Sequence, residues 1–239
     1  LYLDFLNPEG VRTGLATPRP GLNIFNYGYA AAILNCSFGA NATLRYGGTR
    51  ENYLDMLNGV SIWDYARRAG LRTVYFDAQR DHGELQNLMT STEKTRIDEF
   101  VQLDGVPLRD RDVTLAGMIA DRINNGRPEF ILVNKIGGHF PVHDRYPDSM
   151  AHYQPALVRG FYSEHSDTGT MRGFKGFDGS EASWRRYRNS YRNTLLWNVG
   201  TFFDRLLSRA DMSKATIIYT SDHGQDLHER RKTGFGTHC

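Results

Sequence analysis

The chain has 239 residues, 40% hydrophobic and 23% charged, which suits one large α/β domain or two small ones with a sizeable buried core. Its 29 basic and 27 acidic residues leave a formal charge of +2, so composition gives no electrostatic case for nucleic acid as a partner. No run of about 18 apolar residues reads as a membrane span. The two cysteines, Cys36 and Cys239, are too few for a disulfide framework or a structural zinc module, and their pairing stays open.

Taken in chain order, residues 23–29 carry Ile24, Phe25, Tyr27 and Tyr29 and read as a strand. Residues 30–34, with three alanines and Leu34, read as the opening of a helix. Residues 61–70 form a clearer helix, with Ser61 as N-cap, Asp64 at the capping-box position and Gly70 as stop. A β-rich run, residues 72–77, follows at once. Residues 113–125 repeat Leu115, Met118, Ile119 and Ile123 at helical spacing, and residues 129–134 read as a buried strand. The segment from 142 to about 179 has no period and is expected to be a long loop near the active site. The longest helix is expected over 182–208, with Trp184, Tyr187, Tyr191, Leu195, Asn198, Phe202 and Leu206 near one stripe that serves packing. The arginines at 185, 186, 188 and 192 lie on the same helix and read as a solvated face. Residues 215–220 predict a last strand, ending at Ser221-Asp222-His223-Gly224.

Alternation of this kind predicts a mainly parallel sheet with helices on both faces. Ligands gather beyond the carboxyl ends of the strands in such folds. Two chemically loaded turns fall there: Lys135 to His139 and Ser221 to Gln225. Asp222 and His223, adjacent in a tight turn, can reach one cation together, and their oxygen and nitrogen donors suit zinc or another borderline divalent ion. His139 follows a Gly-Gly pair at a strand end, and His238 returns 15 residues after His223.

Tyr219-Thr220-Ser221-Asp222-His223-Gly224-Gln225 with Thr237-His238 resembles the signature of membrane-associated phosphoethanolamine transferases and their sulfatase-like relatives in the alkaline phosphatase superfamily. Gly137-Gly138-His139-Phe140-Pro141 with Arg145-Tyr146-Pro147 is similar to a second segment of that family, and residues 29–37 resemble its nucleophile segment, closed by a cysteine. The resemblance implies a three-layer α/β/α sandwich of alkaline-phosphatase type. It implies a single sulfatase-like catalytic domain over 1–239, as a fragment lacking its first strand and C-terminal part. The implied enzyme uses zinc, one ion or two. A Thr or Ser nucleophile takes the headgroup from a phospholipid donor and passes it to lipid A or a glycan at the periplasmic face of the bacterial inner membrane. Membrane attachment would come through segments outside this chain. Asp222 and His223 match the primary zinc ligands, and His139 and His238 match residues that hold a second metal or the substrate phosphate.

Two departures follow from the same likeness. The family's metal-ligating Glu would lie upstream of Leu1. Aligning Cys36 on the family's cysteine puts the nucleophile slot at Ala30, which has no hydroxyl, while Tyr29 and Ser37 nearby do. An inactivating substitution, a shifted nucleophile and a non-catalytic sensor with the same fold therefore stay open. A sulfatase or phosphodiesterase is the rival chemistry. Cys36-Ser37-Phe38-Gly39-Ala40 lacks the Pro and Arg of the formylglycine frame, which weighs against a sulfatase.

Overall fold

The computed structural model describes residues 10–49, 51, 52, 55–159, 177–229 and 237. Helix α1 spans Ser37–Tyr46, α2 Ile62–Arg68, strand β1 Arg72–Asp77, the short helix α3 Ser91–Lys94 and strand β2 Glu99–Gln102. Helix α4 spans Arg111–Asn125 and strand β3 Glu129–Asn134. A long rod follows: helix α5 Glu181–Leu195, a π-helical turn Leu196–Thr201 and helix α6 Phe202–Arg209.

The three strands are parallel in the order β2-β1-β3, with Phe76 of β1 level with Val101 on one side and Val133 on the other. Strand side chains alternate between faces, and the alternation divides the core. Tyr75, Phe100, Phe130 and Leu132 turn to one face and pack with Trp63 of α2. Val74, Phe76, Val101, Ile131 and Val133 turn to the other and meet Leu115, Ile119, Phe202, Phe203 and Leu206 of α4 and α6. The result is an α/β fold with helices on both faces of a parallel sheet, consistent with the α/β/α sandwich of the alkaline-phosphatase type. A further apolar cluster, including Phe140, Leu157, Phe177, Trp184, Tyr187 and Leu227, packs α5 against the loop after His139.

Local chemistry explains the ends of α2. Ser61 accepts from the Asp64 backbone N–H, and the Asp64 side chain accepts from the Ser61 N–H, a complete capping box. Gly70 stops the helix in the left-handed region at φ 74°. Helix α4 begins two residues before the expected Val113, where the Thr114 hydroxyl donates to the Asp110 carbonyl. In the rod, all the stripe residues except the partly buried Tyr191 are buried.

Three expected elements differ. Residues 23–29 are not a strand, and Phe25, Tyr27 and Tyr29 are 74%, 97% and 71% exposed. The Gly28 N–H donates to Asn26 Oδ1 at 2.8 Å with Gly28 at φ 79°, a local turn that breaks extended pairing. Residues 30–34 open no helix; the helix starts at Ser37. Residues 215–220 pair with no strand among the described residues, and Tyr219 instead packs edge-on against Phe203 at 4.9 Å. Strand preference largely measures packing on a pleated surface, and neither stretch finds one here. Of the expected loop over 142–179, residues 142–159 and 177–179 are described, and they hold two 3-10 turns, Val142–Asp144 and Asp148–Met150.

Helix α1 was not legible as a helix, since Gly39, Asn41 and Thr43 are poor helix formers. A Cβ on Gly39 would lie 2.1 Å from Leu34 Cδ1, so a larger residue there would push the Leu34 side chain aside. A buried ion pair holds the far end of α1. Arg45 Nε donates to Glu93 Oε1 at 2.6 Å, with the two side chains 2% and 0% exposed, and Trp63 Nε1 donates to the same oxygen at 2.9 Å. Removing one partner strands a buried charge. Arg45→Met is expected to cost about 3–5 kcal/mol in urea unfolding. The Arg45→Met, Glu93→Leu double variant should recover part of that loss, and a single variant as stable as wild type would show that the pair carries no weight.

Candidate functional site

The turn at Asp222–His223 meets the N-terminal turn of α1. His223 Nδ1 lies 2.7 Å from the Gly224 carbonyl oxygen, so in the neutral ring Nδ1 carries the hydrogen and Nε2 accepts. Ser37 Oγ lies 3.0 Å from Nε2, an arrangement in which the Ser37 hydroxyl donates to the imidazole. Asp222 Oδ2 accepts from Asn41 Nδ2 at 3.0 Å, and Oδ1 accepts from the His223 N–H at 3.0 Å. Asp222 Oδ2 and His223 Nε2 are 3.7 Å apart. Two ligands about 2.0–2.2 Å from one zinc ion can be separated by that much, so the pair fits as two donors of one cation. Among the described residues no group of three or more His, Cys, Asp or Glu side chains converges on a metal position.

The second turn is built on α4. Asp112 accepts the backbone N–H groups of Ile136 and Gly137, each at 2.8 Å, and Asn198 of the π-helical turn donates to the Gly137 and Arg145 carbonyls at 2.9 and 3.2 Å. Gly137 takes φ 57°, and a Cβ on Gly138 would lie 2.8 Å from the Tyr191 ring. Tyr191 stands beside both turns: its hydroxyl is pushed up to about 12 by burial, with the negative charge of Asp222 adding to the shift. His139 ends this turn, half-buried, with Nδ1 2.6 Å from the Phe140 carbonyl oxygen. Among the described residues, Asp222 and His223 thus stand together with Ser37, while His139 lies on the neighbouring turn.

His238 and Cys239 lie outside the described residues. Thr237, adjacent in sequence, is buried, and its carbonyl accepts from the Asp226 N–H at 2.7 Å. Cys36 is disulfide-bonded. Ala30 stands exposed on the irregular stretch before α1. A cleft of about 520 Å³ opens between Ala32, Ile33 and Leu34 on one wall and His223, Gly224, Asp226 and Thr237 on the other. Asn41 escaped sequence reading, because a polar residue four positions after Ser37 has no signal of its own; only the shared helix face could have suggested it.

The fold and the site define a class: the chain belongs to the sulfatase family, whose sequence profile, described as Sulfatase, matches residues 29–238. Among individual proteins it is similar to the Kdo(2)-lipid A phosphoethanolamine 7''-transferases of Escherichia coli K12 (23% identical over 201 residues) and Salmonella typhimurium LT2 (24% over 204 residues). Each likeness covers 82% of this chain, and the chain spans 31% of the length of each relative. In fold it resembles the C-terminal periplasmic domain of Escherichia coli EcEptC in complex with Zn, with TM-score 0.59 and 15% identity over 87% of this chain and 55% of that one. It also resembles the corresponding domain of phosphoethanolamine transferase EptC from Campylobacter jejuni, with TM-score 0.55 and 18% identity over 87% and 59%.

Lys135, under the second turn, gives the region a pH signature. Its ammonium donates to the Asn198 carbonyl at 2.6 Å, lies 3.7 Å from Asp112 Oδ2 and sits over the Phe202 ring. Burial pulls its pKa down to about 8, with Asp112 opposing the shift. The unfolded chain, with a lysine pKa of about 10.4, then binds more protons between these values, so stability rises as pH climbs through that window and is lost as pH falls through about 8. Melting curves from pH 7.5 to 10.5 should show this rise in wild type and a flatter profile in Lys135→Met. Parallel profiles in the two proteins would remove Lys135 as the cause.

Proposed function

We propose that this chain is the catalytic segment of a zinc-dependent transferase that moves phosphoethanolamine, or a related phospholipid headgroup, to a lipid A or glycan acceptor at the periplasmic face of the inner membrane, with Ser37 as nucleophile. One observation carries the reading: the Ser37 hydroxyl lies 3.0 Å from His223 Nε2, beside Asp222. Family membership and the likeness to phosphoethanolamine transferases support the headgroup chemistry. Ala30 has no hydroxyl, and the shifted nucleophile suits the chain better than a lost one.

Asp222 and His223 would hold the zinc, the cation taking the single Nε2 lone pair that the Ser37 hydroxyl uses here and leaving Ser37 Oγ beside it, with His139 and His238 proposed to face the transferring phosphate. Bound there, zinc supplies positive charge that lowers the pKa of a nearby hydroxyl and offsets charge on the phosphoryl group. Ser37 is the first residue of a ten-residue helix, whose N-terminal dipole also favours an anion. Ser37 Oγ bonds to phosphorus, the bond to the diacylglycerol oxygen breaks, and that oxygen leaves with the proton. The acceptor hydroxyl then displaces Ser37 Oγ, which regains its hydrogen.

The test uses the full-length protein and phosphatidylethanolamine. A mass increase of one phosphoethanolamine group is expected on the reduced tryptic peptide that ends at Arg45. Ser37→Ala should abolish it and lower turnover by at least about 10³-fold, and Asp222→Ala should lower zinc content. His139→Ala should fall in turnover while shifting stability by only about 0.5 kcal/mol. An adduct on Tyr29, or Ser37→Ala turning over at the wild-type rate, would overturn the nucleophile assignment.

A further inference from the structure

Helix α1 and the Asp222–His223 turn meet at two points. Ser37 and Asn41 are four residues apart and share one helix face. Ser37 Oγ meets His223 Nε2, and Asn41 Nδ2 meets Asp222 Oδ2, both at 3.0 Å. The Asn41 amide has two hydrogens, and both are used: the same Nδ2 also donates to the Ser37 carbonyl oxygen at 3.0 Å. One side chain therefore spans the backbone of the proposed nucleophile and the carboxylate of the proposed metal pair.

The chemistry of the amide suits this task. An Asn NH₂ group is a double donor, and a carboxylate oxygen has two lone pairs. Asn41 takes one lone pair of Oδ2, and the His223 N–H takes one of Oδ1, which leaves one on each oxygen for a cation. The carboxylate is thus oriented by donors from two distant parts of the chain, separated by 181 positions in the case of Asn41. Leucine has nearly the same shape without a donor. Serine is polar but too short to span both acceptors.

We propose that Asn41 is a positioning residue: it orients Asp222 for zinc and keeps that carboxylate in register with Ser37. The inference rests on the zinc reading given above. Hydrogen-bonding partners of ligating groups typically change metal affinity by about 10–100-fold when removed.

The experiment compares full-length wild type, Asn41→Leu and Asn41→Ser by zinc competition against a chelator, with cobalt spectra of the Co(II)-loaded forms and melting curves of the metal-free forms. Both variants are expected to bind zinc about 10–100-fold more weakly, with an altered cobalt spectrum and a fall in kcat larger than any change in KM. In an Asp222→Asn background, Asn41→Leu should weaken zinc no further. Folded variants that match wild type in zinc affinity and cobalt spectrum would overturn the inference, even if less stable, and leave the zinc reading standing. A wild-type protein that takes up no zinc would overturn the zinc reading and this inference with it. If Asn41→Leu fails to fold, Asn41→Ser decides alone.

Discussion

The buried pair between Arg45 and Glu93 ties helix α1 to the rest of the molecule. That helix carries Ser37 at one end and Arg45 at the other, eight residues or about 12 Å away. Among the described residues no strand ladder reaches it. Glu93 collects Arg45 and Trp63 on one oxygen, and the second guanidinium nitrogen reaches the Asn87 carbonyl at 2.8 Å, so α1, α2 and the loop before α3 share one anchor. The near end is held separately, by Ser37 on His223 and Asn41 on Asp222. A helix of low intrinsic propensity can present a hydroxyl precisely placed against a distant turn because polar contacts hold it at both ends.

Legibility followed the range of the forces involved. Capping at Ser61, the apolar stripe of the long rod and the strands at 72–77 and 129–134 were readable because each is set by neighbours a few residues away. Strand β2 went unread, as only four residues pair there and none stands out by composition. Residues 23–29 and 215–220 have strand-like side chains, but whether such a run pairs depends on a partner that local pattern does not contain. The site divides in the same way. Asp222 and His223 could be singled out as adjacent donors in a turn. Ser37 was visible only as one hydroxyl among several, because its relation to His223 spans 186 positions. Aligning on Cys36 placed the slot at Ala30, seven residues before the hydroxyl that meets the imidazole.

The two turns that frame the site are supported by different means. Asp112 and Asn198 hold Ile136 and Gly137 from beneath with buried and partly buried hydrogen bonds, so the start of that turn is tied into the core. The Asp222 turn rests on a half-exposed segment whose contacts are mainly with α1 and α5: Gln225 Nε2 reaches the Tyr187 hydroxyl at 2.8 Å, and Arg188 reaches the Leu227 carbonyl at 3.2 Å. Tyr191 is the shared wall between them. A turn tied into the core facing one on a half-exposed segment suits the proposed transfer from a bulky lipid.

The π-helical turn at Leu196–Thr201 sets how the rod divides its work. Before it, Trp184 and Tyr187 serve the cluster around Phe140; after it, Phe202 and Leu206 serve the sheet. A π turn holds one residue more than an α turn, so it takes up an extra residue between two helical surfaces. Deleting a single residue there would restore an unbroken α-helix and leave the two halves facing much as they do, because the π turn takes up its extra residue within the same rotation. The rod can therefore carry one residue more than an α-helix of the same span, taken up at the turn where Asn198 reaches the Gly137 carbonyl, while Phe202 keeps its place on the sheet.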